Sequence, residues 1–195
     1  MAGKKSIDTE EKIIQATLDI IEKNTISGTR MRLIADQAEV YQSNLHYYYK
    51  SKKELMIAVQ KNVAERCVEL RESYLEQTED TLEGNLDVFL KQKLTFIIDE
   101  PKYDYAEIDF WIQSRLDDDF KTEFKRSFVG WRSELQAFLS RYAPHMDAQR
   151  RKILSSMIIS LLEGASIQYL VDSDAFDVDE YFGYIKQLIL KEIEY

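Results

Sequence analysis

Residues 29–55 read TRMRLIADQAEVYQSNLHYYYKSKKEL, and the way this run divides decides the fold. Met31, Leu33, Ile34, Ala35 and Ala38 give a short helical stripe, Glu39 and Val40 interrupt it, and residues 42–49 resume as a second short segment whose main aliphatic is Leu45. Ser51 and Glu54 then form an S-x-x-E capping box, in which the serine oxygen takes a free backbone N–H and the glutamate reaches back to the cap residue. From Tyr41 to Lys53 there is no carboxylate, while four tyrosines and three lysines crowd into thirteen residues.

Outward from this run the periodicity stays helical. Asp8 and Glu11 form a D-x-x-E pair before Ile14, Leu18 and Ile21, which predicts a first helix from Asp8 to about Lys23, followed by a turn over 24–28. Behind Ser51, the stripe Leu55, Val59, Val63, Cys67, Leu70 and Tyr74 runs unbroken to about Gln77, roughly 39 Å of helix at the usual rise. Leu86, Phe89, Leu90, Leu94 and Ile97 mark a helix ended near Asp99 by Pro101, with residues 102–105 as a loop. Helices at about 106–116, 120–142, 148–171 and 178–193 complete an all-α chain of about nine helices, the last capped by Asp177 and Glu180.

The composition agrees with that class. A chain of 195 residues with 45% hydrophobic residues can bury a core, and six glycines with two prolines leave few residues to punctuate hairpins. The one cysteine, Cys67, has no partner for a disulfide or a zinc pair. Charges at the N-terminus are not followed by an apolar run, and no stretch approaches ~18 consecutive apolar residues, so the expectation is a cytoplasmic protein without membrane contact. The net charge of -9 is unevenly spread: residues 1–53 carry nine Lys/Arg against seven Asp/Glu, and residues 54–195 carry seventeen against twenty-eight. A mildly basic head on an acidic body suggests that the head alone meets a polyanion. His46 and His145 are the only histidines, no Glu-x-x-His pair is present, and no Gly-rich loop precedes a helix, which argues against catalysis, a bound metal or a cofactor.

Three short helices with a turn between the second and third outline a helix-turn-helix head, whose third element enters the DNA major groove. Gln42 and Asn44 can pair with an adenine edge, tyrosine hydroxyls reach phosphates, and lysines supply counter-charge. Tyr47, Tyr48 and Tyr49 cannot all face inward on one helix, so Tyr49 is expected in the core with Tyr47 and Tyr48 at the DNA.

Over residues 9–59 the chain resembles the tetracycline-repressor (TetR) family of bacterial transcription regulators. Thr29, Arg32, Ile34-Ala35, Ala38, Val40, Leu45, Tyr48, Tyr49, Lys52 and Leu55 stand at the spacing of the family pattern. Glu39 stands where glycine is usual in the turn, which suggests that a positive φ is not needed there. Tyr41 replaces the usual capping serine of the third helix, Ser43 a common glycine and His46 a common tyrosine.

The resemblance implies a DNA-binding domain over 1–53 and a helical regulatory and dimerisation domain over 54–195, joined by the helix from 51 to about 77. Arg32, Gln42, Ser43, Asn44 and Tyr47 would reach bases; Tyr41, His46, Tyr48 and Lys52 would hold the backbone, Thr29 would join that face, and Lys4 and Lys5 would form a loose arm. The middle aromatics imply an effector pocket at Tyr103, Trp111, Gln113, Arg115, Phe124, Phe128 and Trp131, with Glu163 a further polar candidate. The apolar faces of the last two helices imply a dimer interface through Met157, Leu161, Gly164, Gln168, Tyr181, Ile185 and Leu188, unless Gly164 merely avoids a clash within one chain. The expected function is a homodimeric, ligand-responsive repressor of a palindromic operator in double-stranded DNA. The alternative is a nucleoid-associated or partner-binding protein with the same head and no small-molecule switch.

Overall fold

Nine α-helices and no strand form among the described residues of the computed structural model, which describes the backbone of residues 2–194 and the side chains of residues 8–194. They are α1 (Ala2–Gly28), α2 (Met31–Gln37), α3 (Gln42–Tyr48), α4 (Lys52–Leu75), α5 (Leu82–Ile98), α6 (Pro101–Gln113), α7 (Asp118–Tyr142), α8 (Ala148–Asp172) and α9 (Val178–Glu194). The first helix begins before Asp8, so that residue lies inside it rather than at its cap. The side chains of Lys4 and Lys5, expected as an arm, lie outside the described residues. Pro101 opens α6 instead of preceding a loop, because proline at the first helical position gives up only an N–H that has no intrahelical partner.

The chain divides into two compact units. The first comprises residues 1–66 and 100–125, the second residues 67–99 and 126–195, and α4 passes from one to the other between Arg66 and Cys67.

In the first unit α1 packs on α2 and α6, and α2 on α3. A ladder of polar contacts accompanies α6 along α1: Gln15 donates to the Tyr103 hydroxyl at 3.0 Å, Lys102 to Asp19 at 3.0 Å, and Gln113 to the Ser27 hydroxyl at 3.3 Å. Arg66 grips the carboxylate of Glu100, just ahead of α6, through two nitrogens. Ser51 caps α4 as expected, accepting from the Glu54 N–H at 3.1 Å, but Glu54 takes the N–H of Lys50 rather than that of Ser51.

The second unit is built on the apolar faces of α5, α7, α8 and α9, with Leu86, Leu135, Leu139, Ile158, Leu162 and Ile189 at its centre. Inside it Lys93 of α5 pairs with Glu163 of α8 at 3.0 Å, both side chains almost wholly buried. Removing either partner alone would strand a charge and cost about 3–5 kcal/mol, whereas replacing both with apolar residues would be near neutral. α8 has the length and mean hydropathy of a membrane span, 1.4 over eighteen residues, but it carries Glu163 of this pair into the core and buries Leu154, Ile158 and Leu162 there.

Two backbone corners position the head, and both are held by residues that dislike their conformation. At Glu39 φ is 56°, correcting the expectation that glutamate in this turn signals an ordinary backbone. The Val40 N–H donates to the Ala35 carbonyl at 3.0 Å and the Glu39 N–H to the Asp36 carbonyl at 3.3 Å. That pair of bonds is a Schellman stop, whose left-handed position usually falls to glycine. At Thr25, φ 59° and ψ 168° break α1 ahead of its last turn, in a region that is nearly glycine's alone. The Thr25 side chain is exposed and has no hydrogen bond among the described residues to offset this cost. Thr25→Gly should therefore raise stability by about 1 kcal/mol, or about 2–4 °C in Tm, and Thr25→Ala should recover less because it keeps the Cβ. Thermal unfolding of the three proteins checks this, and a Gly variant no more stable than the Ala variant would contradict it.

Candidate nucleic-acid interface

Helix α3 is seven residues long and buries Leu45 alone, while Tyr49 just beyond it turns into the core and donates to Glu10 at 3.2 Å. Burial, reinforced by Glu10, pushes the Tyr49 hydroxyl well above the usual tyrosine range. With those two residues inward, Gln42, Ser43, Asn44 and His46 all stand exposed, as do Tyr41 (81%) and Tyr47 (74%). Tyr48 is half-buried and meets the Tyr47 ring edge-on at 5.4 Å. Tyr41 enters α3 in extended backbone and makes no side-chain cap, so the replaced serine is not compensated by its own side chain. Arg32 is exposed on α2.

Two of the expected contacts have other duties. Thr29 is fully buried, and its hydroxyl donates to the Thr25 carbonyl at 2.8 Å, so it closes the α1–α2 corner and presents no side-chain surface to DNA. Lys52 turns its ammonium onto the Ile26 carbonyl at 2.5 Å and the Ser27 carbonyl at 3.5 Å, satisfying the end of α1. Its burial, helped by Arg30, pulls the lysine pKa below the usual range. Lys53 is engaged too, by Asp117 at 2.8 Å and by Asp119, and the hydrogen bonds it donates to those carboxylates hold the ammonium above its ordinary value. The lysine that presents charge to solvent beside α3 is Lys50, whose ammonium caps the His46 and Tyr47 carbonyls at 3.3 Å and lies 5.8 Å from the Tyr47 ring centre. Lys50 lies in the carboxylate-free patch but is not among the contacts expected from the sequence; its place three residues after Tyr47, just past the end of the same short helix, is the available signal.

The expected effector residues fall in both compact units. Tyr103, Trp111, Gln113, Arg115 and Phe124 belong to the first, with the Trp111 and Phe124 rings 6.3 Å apart and Gln113 spent on Ser27. Phe128 and Trp131 belong to the second, 6.2 Å apart, and the buried Trp131 indole nitrogen has no hydrogen-bond partner among the described residues. Glu163 is taken by Lys93.

Of the expected interface residues, Met157, Gln168 and Leu188 are exposed and Leu161 and Tyr181 half-buried. Ile185 is 1% exposed and belongs to the core of its own chain, because the opposite face of α9 is the one left uncovered. A Cβ added at Gly164 would meet nothing within 4 Å, which rules out an intrachain clash as the reason for that glycine.

Two family models match this chain: bacterial regulatory proteins of the tetR family over residues 13–59, and the BetI-type transcriptional repressor C-terminal region over residues 105–192. Over 66 residues the chain is 33% identical to an uncharacterized HTH-type transcriptional regulator in the dhlA 5' region of Xanthobacter autotrophicus, a match spanning 34% of this chain and only about a third, 33%, of that relative's length. Among solved structures, a protein from Saccharomonospora viridis in complex with choline matches at TM-score 0.81 and 16% identity over 96% of both chains. The transcriptional regulator FadR from Bacillus subtilis in complex with stearoyl-CoA matches at TM-score 0.77 and 14% identity, over 92% of this chain and 96% of that one. At such identities the likeness is one of fold.

The corner after Thr25 depends on Asp109 of α6, whose carboxylate accepts the Ile26 N–H at 2.6 Å. Burial raises the Asp109 pKa above 3.8, against the lowering effect of that hydrogen bond. Folding thus favours the protonated acid, and the stability this confers is full below the unfolded value and lost as pH rises through the folded one. Asparagine can accept the same N–H without a charge. The stability of Asp109→Asn relative to wild type should therefore move in the variant's favour as pH rises above the ordinary carboxylate range, measured by thermal unfolding, and a difference constant with pH would contradict it. Asp109→Ala, which leaves the N–H unpaired, should cost about 1 kcal/mol.

Proposed function

We propose that this chain, a transcriptional regulator belonging to the tetR family of bacterial regulatory proteins, works as a homodimeric, ligand-responsive repressor that reads a palindromic DNA site with α3. The observation that carries the reading is the face of α3: a helix without a carboxylate, whose Gln42, Ser43, Asn44 and Tyr47 all stand in solvent while Leu45 and Tyr49 anchor it from behind. Gln42 and Asn44 supply paired donors and acceptors for base edges, and Arg32 adds a guanidinium from α2. Tyr41, His46, Tyr48 and Lys50 hold phosphates and sugars, which fix register without reading sequence. Thr29 and Lys52 serve from behind by holding the corner at the end of α1. In this reading residues 1–53 are the DNA-binding domain and residues 54–195 the regulatory and dimerisation domain, at work in the bacterial cytoplasm.

Dimerisation is supported by the apolar side chains that α8 and α9 leave uncovered. Ile153, Met157, Ile167 and Val171 lie exposed along α8, with Tyr184 and Leu188 on α9, and Gly164 offers room for a close backbone approach. Two copies joined there would present two reading helices to successive major grooves. A small molecule that binds the regulatory domain better in a DNA-incompetent state would release the operator. The choline and stearoyl-CoA held by proteins of this fold support a ligand for this one as well.

Binding measured on specific and random duplexes tests the roles. Gln42→Ala and Asn44→Ala should each lose about tenfold on the specific site and little on random DNA, while Lys50→Ala should weaken both and flatten the salt dependence by about one ion. Equal losses on both duplexes for all three would contradict the assignment. Met157→Glu with Leu188→Glu should give a folded monomer by sedimentation and lose operator affinity, whereas Ile185→Glu should unfold the domain. A dimer that survives the double substitution would remove α8 and α9 from the interface.

A further inference from the structure

A half-open cavity of about 410 Å³ lies wholly within the second compact unit, between the last turns of α4, the start of α5 and the end of α7. It contains none of the residues expected to bind an effector. Its walls are mainly apolar, with Val68, Leu75, Val88, Phe89 and Phe138 joined by the polar Asn85 and Tyr142 and by the exposed Glu72, and the cation buried in them is Arg71. Arg71 is 7% exposed, its guanidinium lying 5.8 Å from the Phe89 ring centre and donating to the buried Gln92 side chain at 3.1 Å. Its ion-pair partner is Glu134 at 2.7 Å, and the two ends of that pair differ greatly: the side chain is 9% exposed at Arg71 and 43% at Glu134. The other arginine of the cavity, Arg141, is occupied by Asp80.

The asymmetry selects the ligand. Glu134 can swing from Arg71 into water at little cost, because an exposed carboxylate is well hydrated. Arg71 cannot leave, because it is buried and held by Gln92, so whatever displaces Glu134 must replace its charge. A cationic ligand would have to share the cavity with a fixed guanidinium, and a neutral one would gain nothing from it. We infer that this cavity binds a small monocarboxylate with an apolar body, its carboxylate taking the place of Glu134 on Arg71 and its body lying on Phe89, Phe138 and Val88.

The site also has a route to the DNA. Arg71 belongs to α4 and Glu134 to α7, so the exchange unties α7 from the helix that begins at Lys52, directly behind α3. This step rests on the ligand-responsive reading above and names the chemistry of its ligand.

Phenylbutyrate, phenylbutylamine and phenylbutanol share one apolar body and differ in head-group charge, so calorimetry of all three on the full-length protein tests the inference. Phenylbutyrate should bind at least tenfold tighter than the other two, Glu134→Gln should tighten it about tenfold by removing the competing carboxylate, and Arg71→Met should abolish the preference. Because a buried arginine can be needed for folding, Ala137→Trp provides a second arm: this exposed position lines the cavity, and filling it should abolish binding while leaving Arg71 in place. Failure of phenylbutyrate to bind, equal or tighter binding of the amine, or binding that survives Ala137→Trp would each overturn the assignment. If phenylbutyrate passes all of these and leaves operator affinity unchanged, the site stands and the ligand-responsive reading falls. If another compound releases DNA while phenylbutyrate does not bind, the reverse holds.

Discussion

A helix of seven residues cannot hold its shape in water on its own hydrogen bonds, since nucleation alone outweighs what so few bonds return. Everything that α3 turns outward therefore depends on what pins it from behind. Leu45 and Tyr49 are the pins, and both are lost to view in the core. Their burial stabilises by about 1.5–3 kcal/mol for each large side chain. With so little of the helix turned inward, Gln42, Ser43, Asn44, His46 and Tyr47 are left exposed.

The corners on either side of α2 obey the same constraint. Thr25 and Glu39 both hold positive φ angles without being glycine, and each strained residue is flanked by bonds that fix it. At Glu39 these are the two bonds of the helix stop. After Thr25 they come from further away in sequence, the Asp109 carboxylate on the Ile26 N–H and the Lys52 ammonium on the Ile26 carbonyl. The α1 corner is thus held by α6 on one side and by the first turn of α4 on the other.

Much of this was legible in the sequence because it is local. The capping serine at 51, the apolar stripes of α4, α8 and α9, and the sorting of Tyr49 from Tyr47 all follow from spacing within one or two turns. What was not legible involves partners far apart. Nothing near Lys52 signals that its charge is spent on a helix end 26 residues earlier, or that Asp117 and Asp119 occupy Lys53. The φ of Glu39 is positive despite the residue's identity, because the hydrogen bonds of the turn and not the side chain decide the backbone there. Ile185 shows the same limit: an apolar stripe wider than one contact has an inner and an outer edge, and only packing tells them apart.

The patch that seemed to be a basic surface is thus mostly polar, with Lys50 as its outward cation and two neighbouring lysines committed to the protein itself. Affinity would then come from two such surfaces acting together more than from the charge of one, and that is the central claim. Selection of bound duplexes from a random pool by the full-length protein tests it directly. The account predicts a palindrome whose half-sites lie about one helical turn, ~34 Å, or a small multiple apart. Enrichment of a single unrepeated motif, or no enrichment at all, would contradict it.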